Sequence, residues 1–264
     1  MISRMRRSFP ALVVLAACGC SKEQAPPPVP APSSAGPAIG VAAPADPSLV
    51  NPAISTRDPE LRKKRIEENL ALMNDPDPQV RMAALNGLRM AASTDDLVER
   101  VVPAMAAMLD GDSELSNRIQ AAVILREYGA QAAPAVPALV KRLADPKMRE
   151  VAMRALENLG KPAREALPAL LDLLKSPEWA VRQQAAFTLG KIGKHVPEAV
   201  GPITGLLTGD TEPGVRAAAA DGLGSMGTLA KPSLPALREA AAKDPAPAVR
   251  DHAAIAVRAI EAAR

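Results

Sequence analysis

The sequence predicts an all-α protein whose main body is a solenoid of about six stacked helical hairpins. Three observations carry that expectation. One motif recurs through residues 58–264 at intervals of 31 to 37 residues. Hydrophobic residues make up 48% of the chain while only Phe9, Tyr128, Trp179 and Phe187 are aromatic, so the interior must be small aliphatic side chains packed closely, as between helices. Asp, Ser and Pro cluster into a turn signal just before each copy of the motif.

The motif aligns on an arginine: Arg81, Arg118, Arg149, Arg182, Arg216 and Arg250. Three residues after each stands an alanine (Ala84, Ala121, Ala152, Ala185, Ala219, Ala253). Seven after stands Leu88, Leu125, Leu156, Leu189, Leu223 or Val257, and ten after Ala91, Tyr128, Leu159, Ile192, Met226 or Ile260. Offsets of 3, 7 and 10 lie on one face of an α-helix, so each unit ends in an amphipathic helix B with that buried stripe. The repeated alanine lets a neighbouring helix approach closely. A larger residue there would overpack.

The turns before the arginines (NDPDP, DGDSE, ADP, SPE, GDTEP and DPAP) supply residue types expected to cap helix B. Before each turn runs another apolar helix, A, containing Pro103, Pro137, Pro168, Pro202 and Pro235 in repeats two to six. An interior proline removes a hydrogen bond, so helix A is expected to kink. The first helix, DPELRKKRIEENLALMN, lacks that proline and is crowded with charge, as expected of a solvated N-terminal cap.

This unit resembles the short-period HEAT repeats common in bacterial proteins, including the phycobilin lyases, over about residues 58–264. The resemblance implies a right-handed superhelix. It also implies a ladder between stacked repeats, made by a turn Asp and the helix B Arg. Asp75/Arg81, Asp112/Arg118, Asp210/Arg216 and Asp244/Arg250 all keep a spacing of six. Ser176 replaces the Asp before Arg182, and Asp145 stands only four before Arg149, so the ladder is expected to falter around repeats three and four.

Residues 1–17 have a basic start (Arg4, Arg6, Arg7) and a short apolar run, the pattern of a secretory signal rather than a bilayer span. Leu15-Ala16-Ala17-Cys18 resembles a bacterial lipobox, which implies cleavage before Cys18 and lipidation of its thiol. Gly19 rather than Asp follows, which by the same resemblance favours the outer membrane, facing the periplasm, over the inner. Residues 18–57 then read as a lipidated Cys and a Pro/Ala-rich tether that neither helix nor strand can cross. Its 37 residues from Ser21 to Arg57, at about 3.1 Å each, reach at most roughly 115 Å.

Without the three signal arginines the basic count falls to 29 against 29 acidic residues, which removes the electrostatic footprint of a nucleic-acid binder. Cys18 and Cys20 are the only cysteines, which excludes a disulfide framework or thiolate metal site in the folded part. Gly222 to Gly227 satisfies a G-x-G-x-x-G spacing but falls at the end of a helix B, where Gly227, like Gly193, is expected to stop the helix. Asp110 to Glu114 imitates the start of a calcium loop, but Leu115 and Ala121 stand where Gly and Glu are required. His195 and His252 are isolated, without the His-Glu pairs of the di-iron HEAT enzyme deoxyhypusine hydroxylase. No catalytic, metal or cofactor residues are assigned.

Solenoids of this kind usually bind partners along the surface lined by helix B. The expected partner-facing residues are Asn86, Arg89, Arg126, Arg154, Gln183, Phe187 and Asp221, with Met82, Val123 and Ile255 as apolar members. Phe187 is either an interface anchor or a filler beside Trp179. The resulting expectation is a lipid-anchored, non-enzymatic scaffold or adaptor of the cell envelope for a protein partner, with no nucleic acid bound. A chromophore- or cofactor-handling lyase-like protein and a passive envelope spacer are the alternatives.

Overall fold

A computed structural model of the chain describes residues 58–89 and 95–263; Cys18, the signal and the tether lie outside the described residues, as does Ala91. Every described element is helical and no strand occurs among them. Paired in order, the helices make six hairpins. The first is α1 (Pro59–Leu72) with α2 (Pro78–Arg89), and the second α3 (Asp95–Gly111) with α4 (Leu115–Tyr128). Then come α5 (Val136–Arg142) with α6 (Arg149–Leu159), and α7 (Leu167–Leu173) with α8 (Trp179–Ile192). The last two are α9 (Val200–Gly209) with α10 (Pro213–Met226), and α11 (Leu234–Lys243) with α12 (Pro247–Ala262). Even-numbered helices are the B helices. Among the described residues no helix is long and apolar enough to cross a membrane.

The prolines of helix A mostly start helices rather than kink them. Only Pro103 lies inside its helix, α3. In repeats three, four and six, helix A divides into a 3-10 segment (Gly129–Ala135, Lys161–Ala166, Gly227–Ser233) and an α-helix with Pro137, Pro168 or Pro235 in its first turn. In repeat five the 3-10 turns Gly193–His195 and Pro197–Ala199 precede α9, with Pro202 as its third residue. A first-turn proline has no helical hydrogen bond to lose, and its fixed φ suits helix initiation. Gly227 stops α10 with φ of +59°, and Gly129 and Gly160 act likewise, but Gly193 has φ of −54° and continues into a 3-10 turn. It is glycine for want of room: a Cβ there would collide with the Met226 side chain.

The arginine register holds. Ala84, Leu88, Ala121, Leu125, Ala152, Leu156, Leu159, Ala185, Leu189, Ile192, Ala219, Leu223, Ala253 and Ile260 are fully buried, Tyr128 and Met226 nearly so, and Val257 packs partly buried against the core. Tyr128 does more than fill space. Its hydroxyl donates to the Leu88 carbonyl at 2.9 Å, satisfying an orphan acceptor at the end of α2. Met82 is buried rather than exposed, because α2 buries four consecutive residues, Met82 to Leu85.

In the C-terminal half the B helices touch backbone to backbone. A Cβ on Gly190 would lie 2.3 Å from the Gly222 Cα, one on Gly222 would lie 2.9 Å from the Ala186 carbonyl oxygen, and one on Gly224 would meet Ala256 at 3.1 Å. The glycine-rich stretch that mimics a dinucleotide motif is therefore a helix-packing surface within α10.

The arginine ladder exists, with a different pairing from the spacing of six. Each turn Asp caps its own turn: the Oδ1 of Asp112, Asp210 and Asp244 accepts the N–H two residues on, at 2.8 to 3.0 Å. The arginine six residues later donates Nη1 not to that carboxylate but to the same residue's carbonyl, as Arg118 does to Asp112 at 2.8 Å, Arg216 to Asp210 at 2.9 Å and Arg250 to Asp244 at 2.8 Å. Arg81 and Arg182 do likewise to Asp75 and Ser176. The carboxylate belongs to the arginine of the preceding repeat. Arg81 grips Asp112, Arg182 grips Asp210 and Arg216 grips Asp244, each through Nε and Nη2 at 2.7 to 2.9 Å. Bidentate geometry of this kind fixes orientation as well as adding energy.

Two rungs are missing, those of Arg118 and Arg149 on either side of repeat three, whereas the rung of Arg182, expected to falter because Ser176 precedes it, is intact. Arg118 donates to its own turn but has no carboxylate, and its buried Nε is unpartnered. Arg149 donates Nε to the Leu143 carbonyl at 2.9 Å. Ser176, where the next Asp would stand, still caps its turn, with Oγ accepting from the Glu178 N–H at 3.2 Å.

Two stability predictions follow from this packing. Leu189→Ala is expected to cost roughly 2–5 kcal/mol, and Gly190→Ala is expected to destabilise far more than Gly209→Ala, since a Cβ on Gly209 meets nothing within 4 Å; urea unfolding of the three variants checks both. The second concerns acid. Hydrogen bonds from Arg182 and Arg216 hold Asp210 and Asp244 below the usual carboxylate range; for Asp112 burial pushes upward, but Arg81, the Glu114 N–H and Asn117 outweigh it. The unfolded chain therefore takes up these protons at higher pH than the folded one. The ladder's contribution is complete above the ordinary carboxylate range and is lost as pH falls through the lowered folded values. Asp112→Ala is expected to cost roughly 1–3 kcal/mol at neutral pH and to flatten the acid limb of a stability-versus-pH curve.

Candidate functional site

Successive B helices form one face of the stack, and three surface cavities on it converge on α8. The first, about 240 Å³, is lined by Arg126 of α4, by Arg154, Glu157 and Asn158 of α6 or its end, and by Gln184 and Phe187 of α8. A second, about 390 Å³, lies between α8 and α10 and includes Gln183, Phe187, Asp221 and His252. A third, about 330 Å³, runs between α6 and α8 beside Arg149 and Glu150. Phe187 separates the first two and faces both.

Phe187 is 37% exposed and Trp179, two turns earlier on the same helix, is 51% exposed. Two of the three aromatic side chains among the described residues thus stand in solvent on one helix. Phe187 does not fill a gap in the core. The Lys191 ammonium lies 5.0 Å from the centroid of its ring, a cation–π contact that steadies the ring's outer edge.

Polar ties cross from one B helix to the next along this face. Gln120 donates to the Asn86 side chain at 2.9 Å between α4 and α2. Glu157 Oε1 accepts from the Thr188 hydroxyl at 2.8 Å and the Gln184 amide at 3.0 Å, joining α6 to α8. Gln183 donates to the Gly214 carbonyl at 3.3 Å, and Asp221 meets His252 Nδ1 at 2.7 Å between α10 and α12. Burial pushes the Glu157 carboxyl up; the Thr188 and Gln184 hydrogen bonds and the charges of Arg154 and Lys191 pull it down, and burial prevails.

Of the residues expected from sequence, the structure brings Arg126, Arg154 and Phe187 together in the first cavity and Gln183, Phe187 and Asp221 in the second. Asn86 and Arg89 line neither: Asn86 is held by Gln120, and Arg89 pairs with Glu127 at 2.7 Å. Ile255 is exposed on α12, and Val123 is half-buried against the core. Sequence reasoning did not name Glu157, Gln184 or His252 as part of this surface. Glu157 stands eight residues after Arg149, an outward offset; Gln184 and His252 stand two after their arginines, so the true face is rotated by about one position.

Among the described residues no group of three His, Cys, Asp or Glu side chains is placed to hold a metal. Asp110, in the stretch that imitates a calcium loop, instead pairs with Lys141 and Arg142.

Models of HEAT repeats match residues 66–160, 136–198 and 167–258, a span covering most of the chain. The chain belongs to the HEAT-repeat family. No curated protein matches it by sequence. Among solved structures it is similar to a mutant of Kap121p, at 16% identity and a TM-score of 0.54 over 73% of this chain and 22% of that one. Human deoxyhypusine hydroxylase in complex with glycerol aligns with 81% of this chain and 93% of its own at 20% identity and a TM-score of 0.39. The Kap121p likeness shows the all-α solenoid fold, an architecture typical of protein-interaction scaffolds. This chain spans about a fifth of the length of Kap121p.

Proposed function

We propose that this HEAT-repeat protein is a non-enzymatic docking scaffold that binds a protein partner on its B-helix face, centred on α8. The carrying observation is Phe187: an exposed aromatic between two cavities, in a chain that spends almost no aromatics elsewhere. Aromatic and Arg anchors in partly enclosed sites dominate protein interfaces. The neighbouring ties, Glu157 to Gln184 and Thr188 and Asp221 to His252, hold the surface in shape before a partner arrives. Preorganisation lowers the entropic cost of binding.

The sequence supports a location to go with this role. Cys18 as a lipidated residue would fix the protein to a membrane of the cell envelope, with the outer membrane favoured by Gly19, and residues 18–57 would let the solenoid work away from it.

Two measurements test these readings separately. Chemical crosslinking of the tagged full chain in cells, followed by mass spectrometry, is expected to recover one protein with the wild type and to lose it with a Phe187→Ala, Arg154→Glu double variant; the same products from both would overturn the α8 surface. Cys18→Ser is expected to move the protein from the membrane to the soluble fraction. Retention on the membrane would overturn lipid anchoring and leave the docking surface standing.

A further inference from the structure

The first cavity is lopsided in its hydrogen-bonding chemistry. Arg126 is exposed, and its guanidinium has no hydrogen-bond or ion-pair partner among the described residues. The hydrogen-bond partner of Arg154 is Glu150, an exposed i,i+4 pair at 2.7 Å, and its charge also acts on Glu157. Such pairs are worth little, so a new partner can compete for the guanidinium. Lys191 lies over the Phe187 ring. Against these donors the lining offers one acidic group, Glu157, whose Oε1 already takes two hydrogen bonds from α8. A cavity with unmatched guanidinium donors beside an exposed ring is complementary to a carboxylate attached to something apolar.

We infer that this cavity seats an acidic side chain of the partner, an Asp or Glu placed between Arg126 and Arg154, with an apolar neighbour in the partner sequence packed on Phe187. The inference rests on the B-helix face being the docking surface and adds the chemistry of what docks there. Arg126 is then the specificity residue: it comes from a different helix than Arg154 and has no other partner among the described residues. The charged groups lining the seat are Arg126 from α4 and Arg154 and Glu157 from α6; beyond the lining, Glu150 of α6 pairs with Arg154 and Lys191 of α8 lies over the Phe187 ring.

Glu157 gives the seat a dependence on pH. Because burial holds its proton more tightly than an exposed carboxyl would, it loses its charge first as pH falls, while the partner's carboxylate is still ionised. Repulsion from Glu157 then disappears, and binding is expected to strengthen over that interval. Glu157→Gln mimics the neutral form and retains an oxygen to accept from Thr188 and Gln184.

The test is a displayed library of random dodecapeptides selected against the full chain at neutral pH. Enriched peptides are synthesised and their affinities measured by fluorescence anisotropy, with Trp179, the single tryptophan, as a second reporter on the same helix. Enriched sequences are expected to share an Asp or Glu beside an apolar residue. Their affinity should fall about tenfold or more with Arg126→Ala, and rise several-fold with Glu157→Gln with loss of the acid-side strengthening. Peptides that need Phe187 but carry no acidic preference, or that are indifferent to Arg126→Ala, would overturn the carboxylate seat and leave the docking surface intact. Peptides whose binding survives Phe187→Ala, or no enrichment at all, would overturn both. Arg126 and Phe187 are exposed, so unchanged circular dichroism and urea midpoints are expected for both variants, which separates lost binding from lost folding.

Discussion

A two-helix hairpin is too thin to bury its own apolar stripe, so each repeat here becomes stable only against the next. Everything else in the structure answers to that stacking. The small residue three positions after each arginine admits the neighbouring B helix, and Gly190 against Gly222 carries the same economy to backbone contact. The arginine then fixes the stacking distance and angle. With Nη1 it closes its own turn, and with Nε and Nη2 it holds the next repeat's Asp, as in Arg182 to Ser176 and Asp210. One side chain thereby ties two turns, and the turn Asp is left with no unsatisfied charge.

That device is absent at two junctions. The Arg118 and Arg149 rungs have no carboxylate. At the second of these junctions Glu157 reaches across to Thr188 and Gln184, a polar tie on the B-helix face like those that join α2 to α4 and α10 to α12, where the rungs are intact. Two of the cavities that converge on α8 open beside this junction. Relaxed ladder pairing and the proposed docking surface thus lie close together, which fits a local departure from the repeat rules at a site with a role beyond folding.

Much of the fold was legible in the sequence, because the information is repeated six times. An arginine followed by Ala and Leu at 3 and 7 specifies one helical face, and each copy corroborates the others. The ladder between stacked repeats follows from the family resemblance, but the six-residue spacing does not show which Asp each arginine holds: the carboxylate used comes from 28 to 31 residues ahead. Prolines were misread as kinks for a related reason, since sequence alone does not show that a 3-10 segment ends just before Pro137, Pro168 and Pro235. Of the residues lining the cavities, Arg126, Arg154 and Phe187 stand at the helical offsets expected to face outward, but Gln184 and His252 do not. A cavity belongs to several helices at once, and its composition depends on how each is rotated against the next.

The central claim is that α8 presents the docking surface. Replacing Phe187 in the full chain by a photoactivatable amino acid, beside the same replacement at Leu229, which is equally exposed but outside the three cavities, tests it directly in cells. The account predicts a discrete crosslinked partner from position 187 and none of that product from 229. The same product from both positions, or from 229 alone, would contradict it.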